Sequence, residues 1–172
     1  TSRRITAAPG FTPGVGRLVD MLTHSRKALL AAVEGLSPAE LDHLHDARSN
    51  SIGALLAHVA AVEWWYQVVT FDERRPTPDE EAPHLAALDL GVEGRRVLRG
   101  RGLVEYVQVL AAVRARTLSE LARRDDDWLD QACAADPTMN AHWAWFHVAE
   151  DETSHRGQIR WLRSRLPTRA AS

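Results

Sequence analysis

Three side chains stand where apolar ones would be expected: His58, Asp151 and His155. Asp151 and His155 are four positions apart, so on a helix they stack one turn above the other. Val148 and Ile159 flank them on the same stripe, so a carboxylate and an imidazole point together into the core. With 100° per residue and His58 taken as zero, Ala54 lies about 40° to one side, Val62 about 40° to the other and Trp65 about 20° away. His58 is therefore central on an apolar face. A buried carboxylate without a partner is costly, and two readings meet that cost. In the first, Asp151 and His155 form a hydrogen-bonded pair and His58 is a separate core histidine. In the second, all three hold a divalent metal. Two ligands at i and i+4 on one helix and a third from a facing helix are how bundles build metal sites. Imidazole and carboxylate suit Zn²⁺, and a 2-His-1-carboxylate set with open positions also suits Fe²⁺.

Other residues are candidates for contact with a substrate. Arg114 lies on a predicted core stripe between Val107 and Leu121, within about 20° of Val107. It either snorkels to the edge or pairs with an acid there, or it holds a substrate anion near the metal. His147 is one turn before Asp151, about 40° further round the helix, and Trp65 is on the face of His58. Both are candidate substrate contacts, with a rim histidine and core packing as the plainer alternatives. His142 falls off the stripe. His24, His43, His45 and His84 fall on outer faces or loops. Glu63 is about 140° from His58, which makes it a poor general base.

These residues need elements to position them. Apolar spacing of three and four predicts four long amphipathic helices: from Val15, over 51–69, over 102–124 and over 140–165. Ser37-Pro38-Ala39-Glu40 reads as a capping box that opens a short helix to about His45. Residues 1–14 read as an irregular arm, and Asp125–Asp127 as a solvated turn. Without convincing strand alternation, the chain is expected to be one all-α domain, a four-helix bundle. Residues 70–101 form a long connection. Such a segment is often functional, and here it is expected to cross the bundle or cover a site as a lid.

Composition narrows the function. The chain has 172 residues, 45% hydrophobic and 26% charged, with a net charge of -2. That is ordinary for a soluble domain and carries no bulk charge for nucleic acid. The single cysteine, Cys133, excludes an intramolecular disulfide and a Cys-based zinc cluster. No uninterrupted apolar run reaches the roughly 18–20 residues of a membrane span, and the N-terminus lacks a signal-peptide pattern. The expected location is the cytoplasm, with a small-molecule partner and neither membrane nor nucleic acid.

The segment from Ser51 to Trp65, SIGALLAHVAAVEWW, resembles the second helix of the DinB/YfiT-like family. The run His147 to Ile159, HVAEDETSHRGQI, resembles that family's last helix, and Leu103 to Arg124 matches its third in place and length. The resemblance implies a bundle that holds a divalent metal through three side chains, usually three histidines. His58 matches the first ligand and His155 the third. Asp151 stands in the middle position, as in a sub-branch with an acidic residue there. Zinc is the expected metal, with nickel, iron or manganese as alternatives. Relatives include S-transferases and isomerases that use low-molecular-weight thiols such as mycothiol or bacillithiol, and a homodimer is implied by the same resemblance. The thiol would have to be borrowed, since Cys133 falls in a predicted loop. Of the 21 basic residues only Lys27 is a lysine, an Arg-rich balance typical of a GC-rich genome, for which mycothiol is the expected thiol. Metal-dependent hydrolysis at the same site, a non-catalytic metal-binding or stress-related bundle, and a metal-free bundle are the alternatives.

Overall fold

The computed structural model describes residues 4–167. Four long helices dominate it: α1 (Pro13–Val33), α3 (Ile52–Thr70), α7 (Leu103–Leu121) and α9 (Ala141–Arg163). Between α1 and α3 lies α2 (Pro38–Asp42), opened by the Ser37–Glu40 capping box. The 71–102 connection contains α4 (Pro78–Glu81), α5 (Leu85–Asp89) and α6 (Gly91–Val97). After α7 come α8 (Asp126–Asp130) and a small antiparallel pair, β1 (Ala132–Cys133) and β2 (Asp136–Asn140). The pair is too short, and through Pro137 too irregular, to show period-two alternation in sequence.

In the bundle α1 packs on α9, α9 on α3, α3 on α7 and α7 on α1. Side-chain pairs give the directions. Gln67 reaches Thr117 and Glu63 reaches Arg114, so α3 and α7 run parallel. Tyr66 meets His147 and Thr70 meets Trp145, while His58 meets His155, so α3 and α9 run antiparallel. Two parallel helices in succession require their connection to travel the length of the bundle, as expected for residues 70–101. It is folded into three short helices, of which α5 packs on α3.

Helix α3 is long and apolar enough to cross a membrane by composition, yet most of it is buried within the bundle. It also carries Glu63, fully buried. Apart from a small cluster of Ala54, Ala61, Ala87 and Leu98, the core is split into two apolar layers. One gathers Leu18, Leu22, Leu121, Trp145 and Val148; the other gathers Leu29, Leu55, Leu56, Leu110 and Ile159.

Between the layers each long helix contributes one buried charge: Arg26, Glu63, Arg114 and Glu152. Arg26 donates to Glu152 and, at 2.7 Å, to Glu63. Arg114 Nε donates to Glu63 at 2.6 Å, and its Nη2 donates to Glu152 at 3.1 Å. Ser25 and Thr117 also donate to these carboxylates. Two positive and two negative charges cancel, and their fixed geometry sets the register of all four helices. Burial alone would raise the Glu63 carboxyl, but Arg114 and Arg26 more than offset this and hold it below the usual range.

The Asp125–Asp127 segment departs from the expected solvated turn. Asp125 caps α8 through Trp128 N, and Asp126 accepts from Gly14 N and Val15 N, so it caps α1 across the fold. A carboxylate at a helix N-terminus satisfies donors that the helix itself leaves open.

Candidate metal centre

The antiparallel seam of α3 and α9 brings His58, Asp151 and His155 together, each half-buried, with one ligand atom from each within 4.8 Å of the others. Asp151 Oδ1 lies 3.2 Å from His155 Nε2 and 3.6 Å from His58 Nε2. The two imidazoles meet edge to face at 4.6 Å between centroids. The i, i+4 spacing on α9 accounts for one pair, and the helix seam for the third member.

His58 Nδ1 lies 2.7 Å from the carbonyl oxygen of Ala87 on α5. A carbonyl only accepts, so Nδ1 carries the proton. In the neutral ring Nε2 then holds the lone pair, and it faces Asp151 beyond hydrogen-bond length. A lone pair and a carboxylate directed at one another call for a positive charge between them, which a proton or a metal cation supplies. The electrostatics agree. Burial pushes the His58 imidazolium down, but Asp151 and the Ala87 carbonyl outweigh it and raise the pKa. Burial also works against the Asp151 charge, yet His155 and His58 hold the carboxyl far below its ordinary value. The donor set therefore fits a divalent cation. The Ala87 contact is the outer support that metal-binding histidines generally have, here supplied from the long connection.

Of the two readings of Arg114, pairing with an acid or holding a substrate anion, the structure shows the first, within the bundle axis and not at its edge: Glu63, Glu152 and the Leu22 carbonyl occupy its guanidinium. Its stripe faces the bundle axis, whereas the histidines lie on the α3–α9 seam. Glu63 belongs to that same axis, away from His58. His147 does lie near the cluster, with Nδ1 3.1 Å from the Tyr66 hydroxyl and the Trp143 ring stacked on its own. Burial and the charge of Asp151 push Tyr66 up to about 12, so it keeps its proton. Trp65 is partly buried and packs against the core while also lining a cavity with Val62 and His147.

The remaining histidines lie elsewhere. His84 stacks on Trp64, His45 meets the edge of Trp161, His43 is half-buried, and His24 and His142 are exposed. Cys133 is buried on β1, where burial and nearby acids raise its thiol. A buried, protonated thiol is a poor nucleophile.

Two cavities flank the cluster along the seam. One, of about 280 Å³, begins at Val62 and His147. The other, of about 470 Å³, includes Leu55, Gln158 and Trp161. A hollow of about 530 Å³ lies against the β hairpin, and no histidine lines it.

The profile of the mycothiol-S-transferase family matches residues 17–167. The chain belongs to that family. The mycothiol-S-transferases are DinB/YfiT-like proteins, and the bundle described above, with its parallel α3–α7 crossover, is consistent with that fold. The match begins in the first turns of α1, covers the other three long helices and includes His58, Asp151 and His155. No curated protein matches the chain.

Sequence patterning missed Tyr66, Ala87 and the charge quartet. Ala87 acts through its backbone, which no residue type announces. The quartet did leave a trace, because Arg26, Glu63, Arg114 and Glu152 are all charges at positions that face the bundle interior.

Proposed function

We propose that this protein is a metal-dependent S-transferase that joins mycothiol to a small electrophile, with His58, Asp151 and His155 as the metal ligands. The observation that carries this reading is the convergence of His58 Nε2, Asp151 Oδ1 and His155 Nε2, with the His58 ring oriented by the Ala87 carbonyl. Family membership supplies the reaction class. A divalent metal held there supplies Lewis acidity that favours the thiolate form of a thiol, the reactive form.

The chain's own residues do the remaining work. Ala87 holds His58 in one tautomer. The quartet keeps α3 and α9 in register, since Glu63 lies five residues from His58 and Glu152 adjoins Asp151. The larger flanking cavity suits a polyol thiol. Arg48, Ser49, Asn50 and Gln158 line it with polar groups, Trp161 adds an exposed ring, and Asn50 Oδ1 is buried without a hydrogen-bond partner. A Cβ placed on Gly157 would meet nothing there, so open space is left at this wall.

The test is conjugation of mycothiol to monobromobimane by protein loaded with zinc. Thiol-dependent product above the uncatalysed rate is expected, with loss in His58→Ala and after chelation. Equal rates in wild type and His58→Ala would overturn the proposal.

A further inference from the structure

The smaller cavity lies one turn beyond His58 on α3 and one turn before Asp151 on α9. Val62, Trp65, Leu85 and Leu88 give it apolar walls. Leu85 and Leu88 belong to α5, the helix whose Ala87 carbonyl holds His58, so one short helix both walls this cavity and orients a member of the cluster. At about 280 Å³ it is near the lower limit for small-molecule sites.

Two polar features break the apolar lining. The first is the Tyr66–His147 pair at 3.1 Å. Tyrosine has one O–H and neutral histidine one N–H. One of these is spent between the two residues, and the other is left over, either on Tyr66 Oη or on His147 Nε2. The pair thus retains one donor whichever tautomer is present. The second feature is a rim of two carboxylates, Glu81 and Asp89, with no Arg or Lys among the described lining residues. Arg114, the basic residue that sequence offers for a substrate anion, is bound within the bundle axis.

We propose that this cavity is the acceptor-substrate site and that it selects small electrophiles that are uncharged or cationic, with an apolar body and one hydrogen-bond acceptor, against carboxylates. This rests on the S-transferase reading. For a benzylic halide the step is a displacement. The thiolate sulfur forms a bond to carbon, the carbon–halogen bond breaks, and halide leaves with the electron pair. The thiol proton has already gone to solvent. The walls hold the ring, the pair's donor binds the acceptor atom, and Glu81 and Asp89 repel an anionic substituent.

Two readouts test it. Calorimetric titration with 4-methylbenzamide and 4-methylbenzoate at low ionic strength needs neither thiol nor turnover. The amide is expected to bind about tenfold tighter, a gap that closes to about threefold or less in Glu81→Gln/Asp89→Asn. Tyr66→Phe/His147→Leu, which removes the donor, should weaken the amide about tenfold. Equal or tighter binding of the benzoate, an unchanged gap in the rim variant, or no amide binding would overturn the assignment. The second readout is mycothiol conjugation of 4-(bromomethyl)benzamide and 4-(bromomethyl)benzoate, each divided by its uncatalysed rate, with the amide expected to be favoured. Amide binding without turnover of either probe would refute the S-transferase reading and leave the cavity's selectivity standing.

Discussion

Glu63→Gln should be among the most damaging isosteric changes in the bundle. The Glu63 side chain is fully buried and accepts from Arg26 at 2.7 Å, Arg114 Nε at 2.6 Å and Thr117 at 2.6 Å. The amide keeps the shape but removes the charge, which leaves two guanidinium groups facing the single carboxylate of Glu152. Breaking a buried ion pair from one side costs about 3–5 kcal/mol. At roughly 2–4 °C per kcal/mol for a chain of this size, the melting temperature should fall by about 6–20 °C. The pH dependence has a defined sign. Glu63 is held below its unfolded value by Arg114 and Arg26. Its contribution is therefore complete above an unfolded carboxyl pKa of about 4.3, and is lost as pH falls through the depressed folded value. Wild type should lose stability on acidification below about pH 4.3, and Glu63→Gln should lose less over the same range. Urea unfolding at pH 7 and across pH 5 to 2.5 measures both. A loss under about 1 kcal/mol at pH 7, with an unchanged acid limb, would show that the Glu63 charge does not hold the quartet together.

Gly157→Leu tests the cavity proposed for the thiol. It removes a mid-helix glycine, worth about 0.5–1 kcal/mol against alanine, so thermal stability should hold or rise. The KM for mycothiol should rise about fivefold or more, equivalent to about 1 kcal/mol of binding; an unchanged KM would count against the placement. Thr70→Val removes the acceptor of the buried Trp145 Nε1, now 3.1 Å away. Urea melts should show a loss of about 1–3 kcal/mol.

Much of this architecture can be read from periodicity. The spans predicted at 51–69, 102–124 and 140–165 match Ile52–Thr70, Leu103–Leu121 and Ala141–Arg163 to within a few residues, because each helix carries a continuous apolar stripe. The cluster was legible for the same reason: polar residues stood out against that stripe. What was not legible depends on tertiary contact. Arg114 was correctly placed on a core face, but a helical wheel cannot show which neighbour it meets, and its partners came from three other helices. Asp126 looked like a turn acid because its target, the start of α1, is more than a hundred residues away. The short helices of the 71–102 connection are each shorter than two helical turns, too short for a 3.6-residue pattern to repeat. The most consequential of them, α5, acts through the Ala87 carbonyl.

Metal stoichiometry decides whether His58, Asp151 and His155 hold a divalent metal. Purified protein loaded with zinc and freed of excess should retain about one equivalent per chain, while His58→Ala and Asp151→Ala, folded by circular dichroism, should retain under about 0.1. Wild-type protein with under about 0.1 equivalent of zinc, nickel, iron or manganese after loading would exclude a metal centre at these residues.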